Sequence, residues 1–236
     1  MPAHILKKIL VAIGALLAIV VVWGSYVLQK NDGGLPAPAG ENRPQITAVA
    51  CPGRQMVDKE IPNSKNQARL TPAEILTAIY GSYNAKGGYA AWKPAPDDDT
   101  PAFAGNGTLG SRIVATRELP GSSSFLVLTK TQTLPPQDCH SCGAVLGGAI
   151  FQKDEQNVWR LVSTQKYIEE LGAYGDFPDP PALIHIGSGP DKIGFQFDTG
   201  FSNQGITETI KTVYAPVDAC IIKISQKITE ESSSGK

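Results

Sequence analysis

From Ile9 to Leu28 the chain runs for twenty residues without a charge. At a rise of about 1.5 Å per residue, a helix of that length spans roughly the 30 Å hydrocarbon core of a bilayer. The segment is expected to cross a membrane once. His4, Lys7 and Lys8 precede it, while Lys30 and Asp32 nearly cancel behind it. The positive-inside bias therefore predicts a cytoplasmic N-terminus over 1–8 and export of everything that follows. Trp23 and Tyr26 stand near the outer end, where amphipathic rings prefer the interface. A cleaved signal peptide has a shorter apolar region and small residues at its cut. Here the run ends Trp23-Gly-Ser-Tyr-Val-Leu28, the only good small-x-small site, Ala37-Pro-Ala39, lies well beyond it and contains Pro, and Ala48-Val-Ala-Cys51 stands more than twenty residues past the run, too far for a lipoprotein site. A retained signal anchor is the expectation.

Residues 29–44 combine Gly flexibility with Pro stiffness and lack apolar periodicity, which reads as a tether. One exported domain should occupy 45–228, followed by a flexible polar tail over 229–236. Lys plus Arg number 21 against 22 Asp plus Glu, so no basic field exists to gather phosphates and nucleic acid is not an expected partner. Plentiful Gly and Pro favour turns and strands over long helices.

Thr71-Pro72-Ala73-Glu74 is a capping box with Pro at the first helical position. Ile75, Leu76, Ile79, Tyr80 and Tyr83 follow on one face, predicting a helix over 72–86 that Gly87-Gly88 stops. Residues 89–110 read as a loop. Within them the Asp97–Asp99 run lacks the ligand spacing of a calcium loop, and Asn106-Gly-Thr108 matches a glycosylation acceptor relevant only in a eukaryotic secretory pathway. Beyond 110 the period changes to two. Strands are predicted at Ile113–Arg117, Phe125–Thr131, Ala144–Gln152, Val158–Ser163, Leu183–Ile186, Ile193–Phe197, Thr207–Tyr214 and Cys220–Ser225. Lys153–Asn157 should turn a hairpin, and Tyr167–Leu171 a short helical turn. The expected fold is α+β and mainly antiparallel, a meander or small sandwich, with the helix covering an edge or end.

No nucleophile elbow, zinc-protease helix or phosphate loop occurs, so no catalytic or cofactor-binding residue is assigned. Gly187-Ser-Gly-Pro-Asp191 precedes a strand, whereas a nucleotide loop should open a helix. Ser122–Ser124 fit turn chemistry. Asp176 and Asp179 flank Phe177-Pro178, and such a pair serves acid–base catalysis only if burial separates the two pKa values.

The dense group of soft ligands is Asp138-Cys139-His140-Ser141-Cys142, just before the small-residue run Gly143–Ala149. In an oxidising compartment Cys139 and Cys142 are expected to be disulfide-bonded, to each other or with Cys51 and Cys220. A redox role would want the pair to open a helix, and a strand-like run follows instead. Copper or zinc would find two thiolates and an imidazole at Cys139, Cys142 and His140, with a fourth ligand left to His185, Cys220 or Cys51. Neither metal is predicted as a cofactor.

The stretch from this loop through Phe151, Trp159, Gly172, Gly175, Ile186-Gly187, Gly194 and Gly205 resembles a set of uncharacterised exported bacterial proteins. These carry a Cys-His-x-Cys loop before a small-residue strand. The resemblance covers about residues 125 to 226 and implies an envelope location and β architecture, without an activity. Two functions compete: a membrane-tethered, non-enzymatic module that binds an unknown envelope protein or ligand, and an envelope redox or metal-handling protein that uses the cysteine loop.

Overall fold

A computed structural model describes residues 51, 53–95, 107–136, 140, 142–187, 192–203 and 206–232. The apolar run 9–28, the tether, Asp97–Asp99, Asn106, Cys139 and Ser141 lie outside them. No helix among the described residues is long and apolar enough to cross a membrane.

Residues from Ala50 onward form one compact unit. Among the described residues it has ten strands, β1 (Arg54–Glu60), β2 (Ala90–Trp92), β3 (Thr108–Leu119), β4 (Ser124–Leu134), β5 (Ala144–Lys153), β6 (Trp159–Leu171), β7 (Ala182–His185), β8 (Ile193–Asn203), β9 (Ile206–Val217) and β10 (Cys220–Ser232), and one helix, α1 (Pro72–Tyr80), between β1 and β2. Six strands pair in the order β1-β6-β5-β4-β3-β2 and four in the order β10-β9-β8-β7, and every pairing is antiparallel. The mainly antiparallel α+β expectation holds.

Both faces of the six-stranded sheet are covered. Along β4, Phe125 and Val127 join Ile75, Leu76, Ile79, Trp92, Phe151 and Trp159 in a core under α1. Leu126 and Leu128 point the other way and join Leu146, Ile150, Phe195, Phe197, Tyr214 and Ile221 against the smaller sheet. The order is thus helix, large sheet, small sheet. This explains why Phe125-Leu-Val-Leu128 is a continuous apolar run, whereas β8, wet on one face, alternates Phe195 and Phe197 with Gln196 and Asp198. Gly148 permits the close stacking, since a Cβ there would stand 2.2 Å from Ile221 Cδ1.

Several expectations are corrected. The helix covers a sheet face, because both faces of β4 and β5 are apolar and need a partner layer. It ends at Gly81, whose φ of 83° forms a left-handed cap with its N–H on Thr77 O. Gly87-Gly88 instead belong to the turn that returns Tyr89 to Asn84. The capping box forms as read: Thr71 Oγ1 accepts from Glu74 N at 3.3 Å, and Glu74 accepts from Thr71 N at 2.7 Å.

Tyr167–Leu171 is not helical; it completes β6, pairing Glu169 with Leu146 and Leu171 with Ala144. Residues 90–92 and 108–110, expected in a loop, are strand. The tail assignment also changes, because β10 continues through Thr229–Ser232 against Ile206–Thr209. In β10 Ile221 is the buried isoleucine, and Ile224, at the register shift between Lys223 and Ser225, is 41% exposed.

Candidate functional site

The loop after β4 and the connection after β6 meet at one end of the large sheet. Here the structure joins two features that are separate in the sequence, the cysteine loop and the Asp176/Asp179 pair. Tyr174 N donates to His140 O at 3.4 Å and Gly175 N to Cys142 O at 2.6 Å. Gly143 N donates to Glu170 Oε1 at 2.6 Å, and Gln132 Nε2 donates to Gly175 O. The His140 and Tyr174 rings pack edge to face, 4.4 Å between centroids.

Beneath this turn lies Lys130, whose side chain is 1% exposed although it carries a charge. Its ammonium has three donors. They reach Asp176 Oδ1 at 2.6 Å, Asp179 Oδ2 at 2.5 Å and Phe177 O at 2.8 Å. Arg112 Nη2 stands 3.8 and 3.6 Å from the same two carboxylates. The Phe177 ring lies 4.8 Å from the ammonium and packs edge to face on Phe197, which packs on Tyr214. The two aspartates are therefore engaged with two cations, a structural use of the pair that acid–base catalysis would require free.

The turn and the cysteine loop frame a cleft of about 390 Å³ between β6 and the small sheet. The inward face of that sheet carries Phe195, Phe197 and Tyr214 in the core, then continues outward to Thr199, Ile210 and Thr212, where shorter side chains leave room. Leu171, Gly172 and Ala173 form the opposite wall, and His140, Glu169, Glu170 and Gln226 the rim. Such a concavity, mostly apolar with a few convergent polar groups, has the anatomy of a small-molecule site. Glu169 is engaged at both oxygens, by Tyr214 Oη at 2.5 Å and Lys223 Nζ at 2.7 Å.

Burial, and then the hydrogen bond to Glu169 and that group's charge, push the Tyr214 phenol far above its ordinary pKa. Burial likewise raises that of Tyr80, which shares a hydrogen bond with Thr129. A group raised in the folded state stabilises fully below its unfolded pKa, about 10 for tyrosine, and loses that contribution as pH climbs above it. Titration of absorbance at 295 nm should show Tyr80 and Tyr214 ionising only with alkaline unfolding, and one phenol fewer in that step in Tyr214→Phe.

Of the other sequence candidates, Cys51 is bonded to Cys220 at the start of β10, with Cα atoms 6.0 Å apart. Cys142 is also disulfide-bonded. His185 ends β7 and is exposed. Among the described residues no three His, Cys, Asp or Glu side chains are grouped so as to hold a metal ion. Ser122 sits in the β3–β4 turn, donating to Leu119 O. Sequence reasoning missed Lys130, Glu169, Glu170, Thr199, Ile210, Thr212 and Gln226. Only Lys130 carried a signal, a lone charge following Phe125-Leu-Val-Leu-Thr129.

Comparison of the chain with protein-family models, with curated proteins and with solved structures gave no match.

Proposed function

We propose that this protein is a membrane-tethered envelope domain that binds a small ligand non-enzymatically in the cleft between its two sheets. The cleft carries this reading: it is concave and apolar, while the carboxylates best placed for chemistry are spent on Lys130, Arg112 and Lys223. The uncharged run from Ile9 to Leu28 and the resemblance to exported bacterial proteins support the location.

Two experiments test the reading. Alkaline phosphatase fused after residue 40 should be active, and the full-length protein should resist carbonate extraction; a mature chain starting near Gly40 would show a cleaved signal instead. In an NMR fragment screen, shifts should cluster at Thr199, Ile210, Thr212 and Gln226. Shifts scattered over the surface, with those residues unmoved, would refute a binding cleft.

A further inference from the structure

The charge that faces the cleft is already matched. On β6, Glu169 pairs with Leu146 and Leu171 with Ala144, both core residues packed toward the small sheet. Glu169 and Leu171 therefore point into the cleft, while Glu170 between them points to the other face of the large sheet. One oxygen of Glu169 accepts from Tyr214 Oη at 2.5 Å and the other from Lys223 Nζ at 2.7 Å. Tyr214 and Lys223 stand opposite each other on β9 and β10, so both reach the carboxylate from the sheet that faces it. Along that same face Thr212 comes next, opposite Gln226, and then Ile210 opposite Ile228, which is 55% exposed. Apolar surface thus runs from Leu171 and Ile210 outward over Ile228. The Gln226 amide lies between it and the ion pair; its Oε1 accepts from Lys223 Nζ at 3.3 Å, and its Nε2 makes no hydrogen bond among the described residues.

A ligand charge entering this cleft loses hydration without gaining a counter-ion. An ammonium meets a carboxylate that Lys223 already neutralises, and a carboxylate meets a lysine that Glu169 already neutralises. A neutral amide or hydroxyl gives up far less water and can accept from Gln226, while an apolar body covers Leu171 and Ile210.

We infer that Glu169 and Lys223 set the specificity of the cleft, cancelling each other so that it takes an uncharged ligand: an apolar body carrying one neutral acceptor, an amide or an alcohol. The inference rests on the binding function proposed above and names the ligand class for that site.

The test uses the full-length chain with labelled threonine and isoleucine methyls in lipid nanodiscs, with empty nanodiscs as the partition control. Three probes share one skeleton: 3-phenylpropanamide, 3-phenylpropionate and 3-phenylpropylammonium. The amide should shift the Thr199, Ile210 and Thr212 methyls with a Kd below about 1 mM, in line with ligand efficiencies for so few atoms. Each charged probe should bind about tenfold or more weakly, the scale of one uncompensated polar interaction. Lys223 is 40% exposed and Tyr214 still holds Glu169 without it, so Lys223→Met should keep the fold. That variant leaves an unmatched carboxylate facing the cleft; affinity for the ammonium probe should rise about tenfold or more, and affinity for the amide should change less than about threefold. If a charged probe binds the wild type as tightly as the amide, or Lys223→Met leaves the ammonium probe as weak as before, the inference fails while the cleft stands as a binding site. If neither these probes nor any neutral fragment moves the cleft methyls, the binding function fails with it.

Discussion

Cys220→Ser should lower the stability of the domain by about 3–4 kcal/mol, the range for a disulfide that closes a long loop. The Cys51–Cys220 bond spans 169 residues of sequence, so breaking it frees a large closure entropy in the unfolded chain. Cys220 is 5% exposed, and next to it Ile221 is held by Gln165, which accepts from Ile221 N at 2.6 Å and donates to Ile221 O at 3.2 Å. The bond therefore fixes the start of β10 where the small sheet docks on β6. For a domain of this size the loss corresponds to about 6–16 °C in Tm. Cys142→Ser should cost less than about 2 kcal/mol, because a local bond to Cys139, the pairing expected in an oxidising compartment, closes only a short loop. Urea unfolding of the two variants and of the Cys51→Ser/Cys220→Ser pair measures the ordering. Equal losses, or a greater loss from Cys142→Ser, would contradict it.

Lys130→Met should cost about 3 kcal/mol, near the lower end of what breaking a buried ion pair costs. The lower end applies because the Asp176 and Asp179 side chains are 55% and 34% exposed and regain water when the ammonium is gone. What remains is two carboxylates with Arg112 as their one cation at 3.6 Å or more and Phe177 N still donating to Asp176, while the Phe177 carbonyl loses the ammonium. Adding Asp176→Asn and Asp179→Asn should restore at least half of the loss, since neutral amides need no counter-ion. A triple variant no more stable than Lys130→Met would show that the lysine acts through packing rather than charge. Hydrogen exchange should also accelerate at Tyr174 and Gly175, whose N–H groups hold the cysteine loop.

Elements with a clean local signal were legible in the sequence. The capping box at Thr71 forms residue for residue, and each of the eight predicted strands overlaps an observed one, with Val158 and Ile186 falling one residue outside β6 and β7. The two strands missed lack any such signal. β1, Arg-Gln-Met-Val-Asp-Lys-Glu, is an edge strand rich in charge, a pattern that blunts edges against further pairing and hides the strand from periodicity. β2 is only three residues long. Tyr167–Leu171 misled because Glu169 and Glu170 look like helix surface, whereas they sit where β6 leaves the core for the cleft rim.

The site was far less legible, since it is made by topology. Asp176, Asp179 and the cysteine loop meet because the β4–β5 and β6–β7 connections leave the large sheet at the same end. The cleft walls come from β6, β8, β9 and β10, whose threonines and isoleucines read locally as ordinary strand residues.

Whether the cysteine loop holds a metal ion is tested most directly by elemental analysis of the purified full-length protein after equilibration with copper and zinc salts and desalting. Copper and zinc should be substoichiometric in the wild type and unchanged in His140→Ala and Cys142→Ser. One equivalent of either metal in the wild type, lost in both variants, would contradict this and make the loop the functional centre.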